Sequence, residues 1–240
     1  MRQRRLLLAI LLMTLLGSVS LAQTGRDDAQ NAIRRGNEKY AKAKYQLAIE
    51  EYRRVPPGAG ETYAQSLYNI GVCYYELWRT DEAMIYYRRA VEARKGRYPM
   101  ALYAIGVALT DFKRLSEAKE AFRQAVARSD EKYAPSHYML GLLAMREGDN
   151  EAAAAYFKEA IARSKDRFPA SHNNLGVALA RMGRLPQAHR EFEAALRTAD
   201  GEFNEARHNL KLCRSLLALS AKAQLASLKT FETTDSPTGN

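Results

Sequence analysis

Four histidines and two cysteines are the metal-binding and nucleophilic side chains of this 240-residue chain. His137 and His172 stand 35 residues apart, with His208 36 further on, a regularity that invites a metal site. If 35 residues make one structural unit, however, each histidine belongs to a different unit. Neighbouring helices pack ~8–10 Å apart, whereas Zn–N bonds span about 2 Å. The spacing therefore favours packing or surface roles, and no metal is expected. Cys73 and Cys213 are four such units apart, beyond the ~7 Å Cα separation that a disulfide tolerates, and read as small buried apolar residues. A phosphate-binding glycine loop, an HExxH pair, a nucleophile elbow and a CxxC pair are all missing from the sequence. The reading is a non-enzyme without catalytic residues or cofactor.

The element that must position everything else is a repeat. Glycine recurs at Gly36, Gly71, Gly106, Gly141 and Gly176, each 35 residues after the last. Alanine keeps the same step at Ala48, Ala83, Ala118, Ala153 and Ala188. A ring follows four residues later, at Tyr52, Tyr87, Phe122, Phe157 and Phe192, and a small residue three beyond that, at Val55, Ala90, Ala125, Ala160 and Ala195. Spacings of four and three put these side chains on one helix face. Around each glycine a second amphipathic stretch appears, as in Leu67, Ile70, Gly71 and Tyr74. Each unit thus reads as two helices joined by a short turn, with small residues where the backbones meet and a ring beside them. A further aromatic column, Tyr63, Tyr98, Tyr133, Phe168 and Phe203, marks the connectors.

These columns resemble the tetratricopeptide-repeat family, whose glycine, alanine, aromatic and alanine positions are matched by Gly71, Ala83, Tyr87 and Ala90 and their counterparts. The resemblance covers roughly residues 29 to 220. It implies an all-α, right-handed solenoid of five helix pairs (about 29–63, 64–98, 99–133, 134–168 and 169–203) closed by a capping helix over 203–229. Two departures stand out: the period is 35 where the family has 34, and Pro99, Pro135 and Pro169 fall at helix starts, where a missing N–H costs nothing. Unit one carries Arg35 in place of Ile or Leu, and Pro56 and Pro57 cut its second helix short. Residues 230–240 read as a disordered tail.

In the family the first helices line a concave face. The resemblance therefore nominates Asn37 and Tyr40; Tyr68, Asn69, Val72 and Tyr75; Tyr103, Val107 and Thr110; Tyr138, Leu142 and Met145; and Asn173, Val177 and Ala180. Together these predict an apolar groove with a tyrosine ladder, suited to an extended or helical peptide. Asn37 and Asn69 match two places of the family's carboxylate clamp, but Ile33, Met100 and Ala104 occupy its basic positions, so a carboxylate would lack its charge partners.

The N-terminus joins Arg2, Arg4 and Arg5 to the uncharged run LLLAILLMTLL and a small-residue site ending at Ala22, the pattern of a signal peptide over 1–22, followed by a linker over 23–28. The alternative is an uncleaved anchor, since the charge-free run from Leu6 to Gly25 matches the ~20 residues needed to span a bilayer. The formal charge is +10, and cleavage leaves 34 basic against 27 acidic side chains, about +7. Interleaved acidic residues and export argue against nucleic acid. The function expected is a protein-interaction scaffold, periplasmic or secreted, without stable membrane insertion after cleavage. The alternative is an envelope-assembly or structural factor docking through a basic edge or the C-terminal helix to membrane, polysaccharide or itself.

Overall fold

The computed structural model describes residues 25–129, 133–165 and 167–219. The expected signal peptide, the end of the C-terminal helix and the tail fall outside these residues. Eleven α-helices and one 3-10 turn are present among the described residues, and no strand. The chain forms two compact units, residues 25–96 and 97–219.

The first unit contains α1 (25–40), α2 (Tyr45–Tyr52), a 3-10 turn (Pro57–Ala59), α3 (Glu61–Glu76) and α4 (Thr80–Ala93). Helix α1 begins at 25, inside the segment expected to be a linker over 23–28; residues 25–28 are already helical. As the sequence predicts, α2 is only 8 residues long, because Pro56 cannot extend it. Arg35 is accommodated by an ion pair, its Nε donating to Glu51 Oε2 at 2.7 Å. That hydrogen bond holds the Glu51 carboxyl below the usual carboxylate range.

The second unit contains α5 (Pro99–Asp111), α6 (Leu115–Ala127), α7 (Ala134–Arg146), α8 (Asn150–Arg163), α9 (Pro169–Arg181), α10 (Leu185–Thr198) and α11 (Asn204–Leu219). Pro99, Pro135 and Pro169 occupy the first or second position of α5, α7 and α9, where proline's fixed φ favours helix entry. Asp149 caps α8, accepting from the Ala152 N–H at 2.9 Å. The last helix, α11, packs on α10 and α9, covering the apolar side that the final pair would otherwise expose.

Both units are built on the same packing. Every alanine of the Ala48 column is fully buried, as are Tyr87, Phe122, Phe157 and Phe192, and Tyr52 nearly so. A Cβ built on Gly71 would lie 2.6 Å from the Tyr87 ring, and on Gly106, Gly141 and Gly176 2.5–2.6 Å from Phe122, Phe157 and Phe192; at Gly36 it would collide with Tyr52. Glycine is required there by the ring of the paired helix. Burying each ring contributes roughly 1.5–3 kcal/mol, so these columns supply a large part of each pair's stability.

Cys73 in the first unit and Cys213 in the second are both free and buried. Burial pushes the Cys73 thiol up to about 12 and raises Cys213 as well. Since the thiolate is the reactive form, neither thiol should react with iodoacetamide at pH 8 in the folded protein, and both should react in urea. Mass spectrometry of labelled protein checks this; rapid native labelling would contradict the burial. A raised thiol pKa stabilises the fold below the ordinary value of 9.0 and ceases to do so as pH climbs toward 12, so alkali also weakens the first unit.

Candidate functional site on the first helices

The nominated positions on the first helices differ sharply in depth. In the first unit Tyr68 and Val72 are buried, Tyr40, Asn69 and Tyr75 half-buried, and Asn37 exposed. Tyr68 packs against Tyr87, ring centroids 5.8 Å apart, and its edge is not available as a rung. Asn37 Oδ1 accepts from the Tyr52 hydroxyl at 2.8 Å and from Asn69 Nδ2 at 3.4 Å, so Asn37 ties α1 to α2 and α3. Tyr40 donates to Glu76 at 3.2 Å, and burial together with that carboxylate raises its hydroxyl above the usual range.

In the second unit the face closes progressively. Tyr103 and Val107 of α5 are half-buried, as is Thr110, whose hydroxyl donates to the Gly106 carbonyl at 2.9 Å. On α7 Leu142 is half-buried, but Tyr138 is 1% exposed, between Phe157 (5.7 Å) and Phe168 (4.7 Å), and Met145 is buried too. On α9 Asn173, Val177 and Ala180 are fully buried. Val177, Ala180, Tyr138 and Met145 share one continuous core with Leu210 and Cys213 of α11. Of the nominated side chains, Tyr103, Val107, Thr110 and Leu142 keep accessible area here and Asn37, Tyr40, Asn69 and Tyr75 in the first unit, whereas Tyr68, Tyr138 and Val177 are buried.

A polar chain not anticipated from sequence links the buried helices. Asn209 Nδ2 donates to Asn173 Oδ1 at 2.9 Å, Asn173 Nδ2 to Asn174 Oδ1 at 3.0 Å, and Asn174 Nδ2 to the Tyr138 hydroxyl at 3.1 Å. All four residues are essentially inaccessible, and mutual hydrogen bonding is what makes such burial tolerable. The links Tyr138–Asn174 and Asn173–Asn209 each span 36 residues, one more than the repeat, which is why the repeat columns do not reveal them.

His172 Nδ1 lies 2.8 Å from Glu191 Oε2, and burial lowers the pKa of His137. His208 is exposed on α11. No group of three or more metal-ligating side chains occurs among the described residues, and no helix there is long and apolar enough to cross a membrane.

Helix pairs of this geometry are those of tetratricopeptide proteins, and the sequence comparisons agree. Tetratricopeptide-repeat profiles match residues 86–134 and 138–204, and residues 64–96, together more than half of the chain. The chain belongs to the tetratricopeptide repeat family. Among solved structures it is similar to PilF of Pseudomonas aeruginosa, 20% identical with a TM-score of 0.66 over 85% of this chain and 90% of that one. It is likewise similar to PilW, described as a widely conserved type IV pilus biogenesis factor (18%, TM-score 0.62, 83% and 89%), and to a thermophilic tetratricopeptide protein of Thermus thermophilus (25%, TM-score 0.54, 78% and 100%). Comparison with curated proteins finds no match. The fold is therefore all-α, and fold and family together support a protein-interaction scaffold.

Proposed function

We propose that this chain is a non-catalytic scaffold of the cell envelope that holds a peptide or protein segment against its first helices, with Tyr103, Val107 and Leu142 as the apolar contacts in the second unit. The supporting observation is that these three side chains alone among the second unit's nominated aromatic, valine, leucine and methionine positions keep accessible area. Tyrosine and branched apolar groups half-exposed on one face can bury further surface on binding, at low cost in side-chain entropy for the ring. The envelope assignment rests on the signal-like pattern of residues 1–22. A second reading, self-association or envelope docking through the C-terminal helix, is favoured by Leu217 of α11, which is 42% exposed.

Pull-down from envelope extract separates the two. Val107→Gln with Leu142→Gln is expected to lose the captured partner at little change in melting temperature, while Leu217→Gln retains it. The reverse pattern would move the contact to α11, and unchanged capture by every variant would sink the first-helix assignment. Tyr68 and Tyr138 are unsuited to this test, because truncating a buried ring destabilises the scaffold itself.

A further inference from the structure

Trp78, the chain's only tryptophan, stands in the turn between α3 and α4 with 93% of its surface exposed. Its backbone lies in the left-handed region at φ 59°, in a slot that recurs every 35 residues and holds Ala43, Lys113, Gly148 and Gly183 elsewhere, all at positive φ. Such a slot favours glycine, and a bulky side chain in it is strained. A ring this exposed removes almost no apolar surface from water. The fold therefore gains nothing from a tryptophan here.

The surface beside it is equally unusual. Tyr74 and Tyr86 stack, centroids 5.3 Å apart. The Arg79 guanidinium lies 4.7 Å from the Tyr74 ring centre and that of Arg89 5.2 Å from Tyr86. Arg53, at the end of α2, donates to the Tyr74 and Tyr86 hydroxyls at 3.0 and 3.5 Å, and Arg89 reaches the Tyr63 hydroxyl at 3.3 Å. Arg79 is neutralised by Glu82, at 2.8 and 2.5 Å. Among the described residues no carboxylate pairs with Arg53 or Arg89. Ile85, 56% exposed, lies one turn before Arg89 on the same side of α4.

We propose that Trp78, Ile85, Arg53 and Arg89 form a docking surface for an acidic polypeptide segment bearing apolar side chains, independent of the first-helix face. The Arg89 guanidinium is pre-oriented by the Tyr86 ring and that of Arg53 by two tyrosine hydroxyls, and guanidiniums present paired N–H donors that match planar carboxylates. Tryptophan, tyrosine and arginine are also the residues that dominate interface hot spots. A membrane surface would call for a broad apolar face, and here two apolar side chains stand among cations.

Because Trp78 is the sole tryptophan, its fluorescence reports on the site directly. The full chain is titrated with a synthetic peptide alternating glutamate and leucine, with its glutamine counterpart, and with vesicles of phosphatidylglycerol or phosphatidylcholine. The acidic peptide is expected to shift the emission to the blue, saturably and less strongly at high salt. Arg53→Gln with Arg89→Gln should weaken that binding by about tenfold or more at unchanged melting temperature. Trp78→Gly, followed by anisotropy of labelled peptide, should abolish it while leaving the melting temperature equal or higher, the opposite of what a structural tryptophan would do. An equal response to the glutamine peptide, undiminished binding by the arginine variant, no response to the acidic peptide, or a response to phosphatidylglycerol alone would each overturn the proposal.

Discussion

Replacing Phe157 with alanine is expected to lower the stability of the second unit by about 3–5 kcal/mol, read as a fall in the urea midpoint. Phe157 is fully buried beside Gly141 and Tyr138, and Ala153 and Ala160 on its own helix are fully buried with it, so little is free to collapse into the vacated space. Against a total stability of order 5–15 kcal/mol, such a loss is severe. Because repeat arrays gain stability from neighbouring units, the transition should also broaden or split as the α7–α8 pair opens first. Leu47→Ala, at a residue 44% exposed, should change the midpoint little by comparison. A Phe157→Ala loss below about 1 kcal/mol would mean that the ring column does not carry the fold.

Gly141→Ala should also destabilise, by about 1–3 kcal/mol, although it replaces a helix breaker with the best helix former. In an open helix that change gains about 1 kcal/mol. Here the new methyl would sit 2.6, 2.8 and 2.9 Å from three atoms of the Phe157 ring, and a fully buried ring has nowhere to retreat. Overpacking therefore outweighs propensity. Shortening the ring should restore room: the double variant Gly141→Ala with Phe157→Leu is expected to lose at least ~0.5 kcal/mol less than the two single losses summed. Strict additivity in denaturant melts would show that the two positions are not packed as the structure places them.

The first-helix face also changes how binding is to be sought. A tyrosine ladder suggests three equivalent contacts at Tyr68, Tyr103 and Tyr138, but these rings are respectively 3% exposed, half-buried and 1% exposed. Only Tyr103 can be altered as a surface group. Partners should respond to changes at α5 and at Leu142, and not at Val177, which belongs to the core.

Periodicity in the residues was sufficient for the scaffold. Five glycines in step with rings and alanines dictate paired helices, since side chains at spacings of three and four must share a face and a Cβ at the glycine would strike the ring. The short α2 before Pro56, the prolines opening α5, α7 and α9, and a further helix after the last pair all follow from local rules of backbone geometry. Depth followed from packing between helices. Tyr103 and Tyr138 hold the same place in the repeat, yet Phe168 closes on one at 4.7 Å while the other meets Tyr133 edge-on at 5.5 Å. The Asn209–Asn173–Asn174–Tyr138 chain, whose inter-helix links span 36 residues where the repeat has 35, is likewise a matter of what neighbouring helices bring together. A repeat assigns each side chain an angle about its own helix, whereas burial depends on what neighbouring elements bring against that angle.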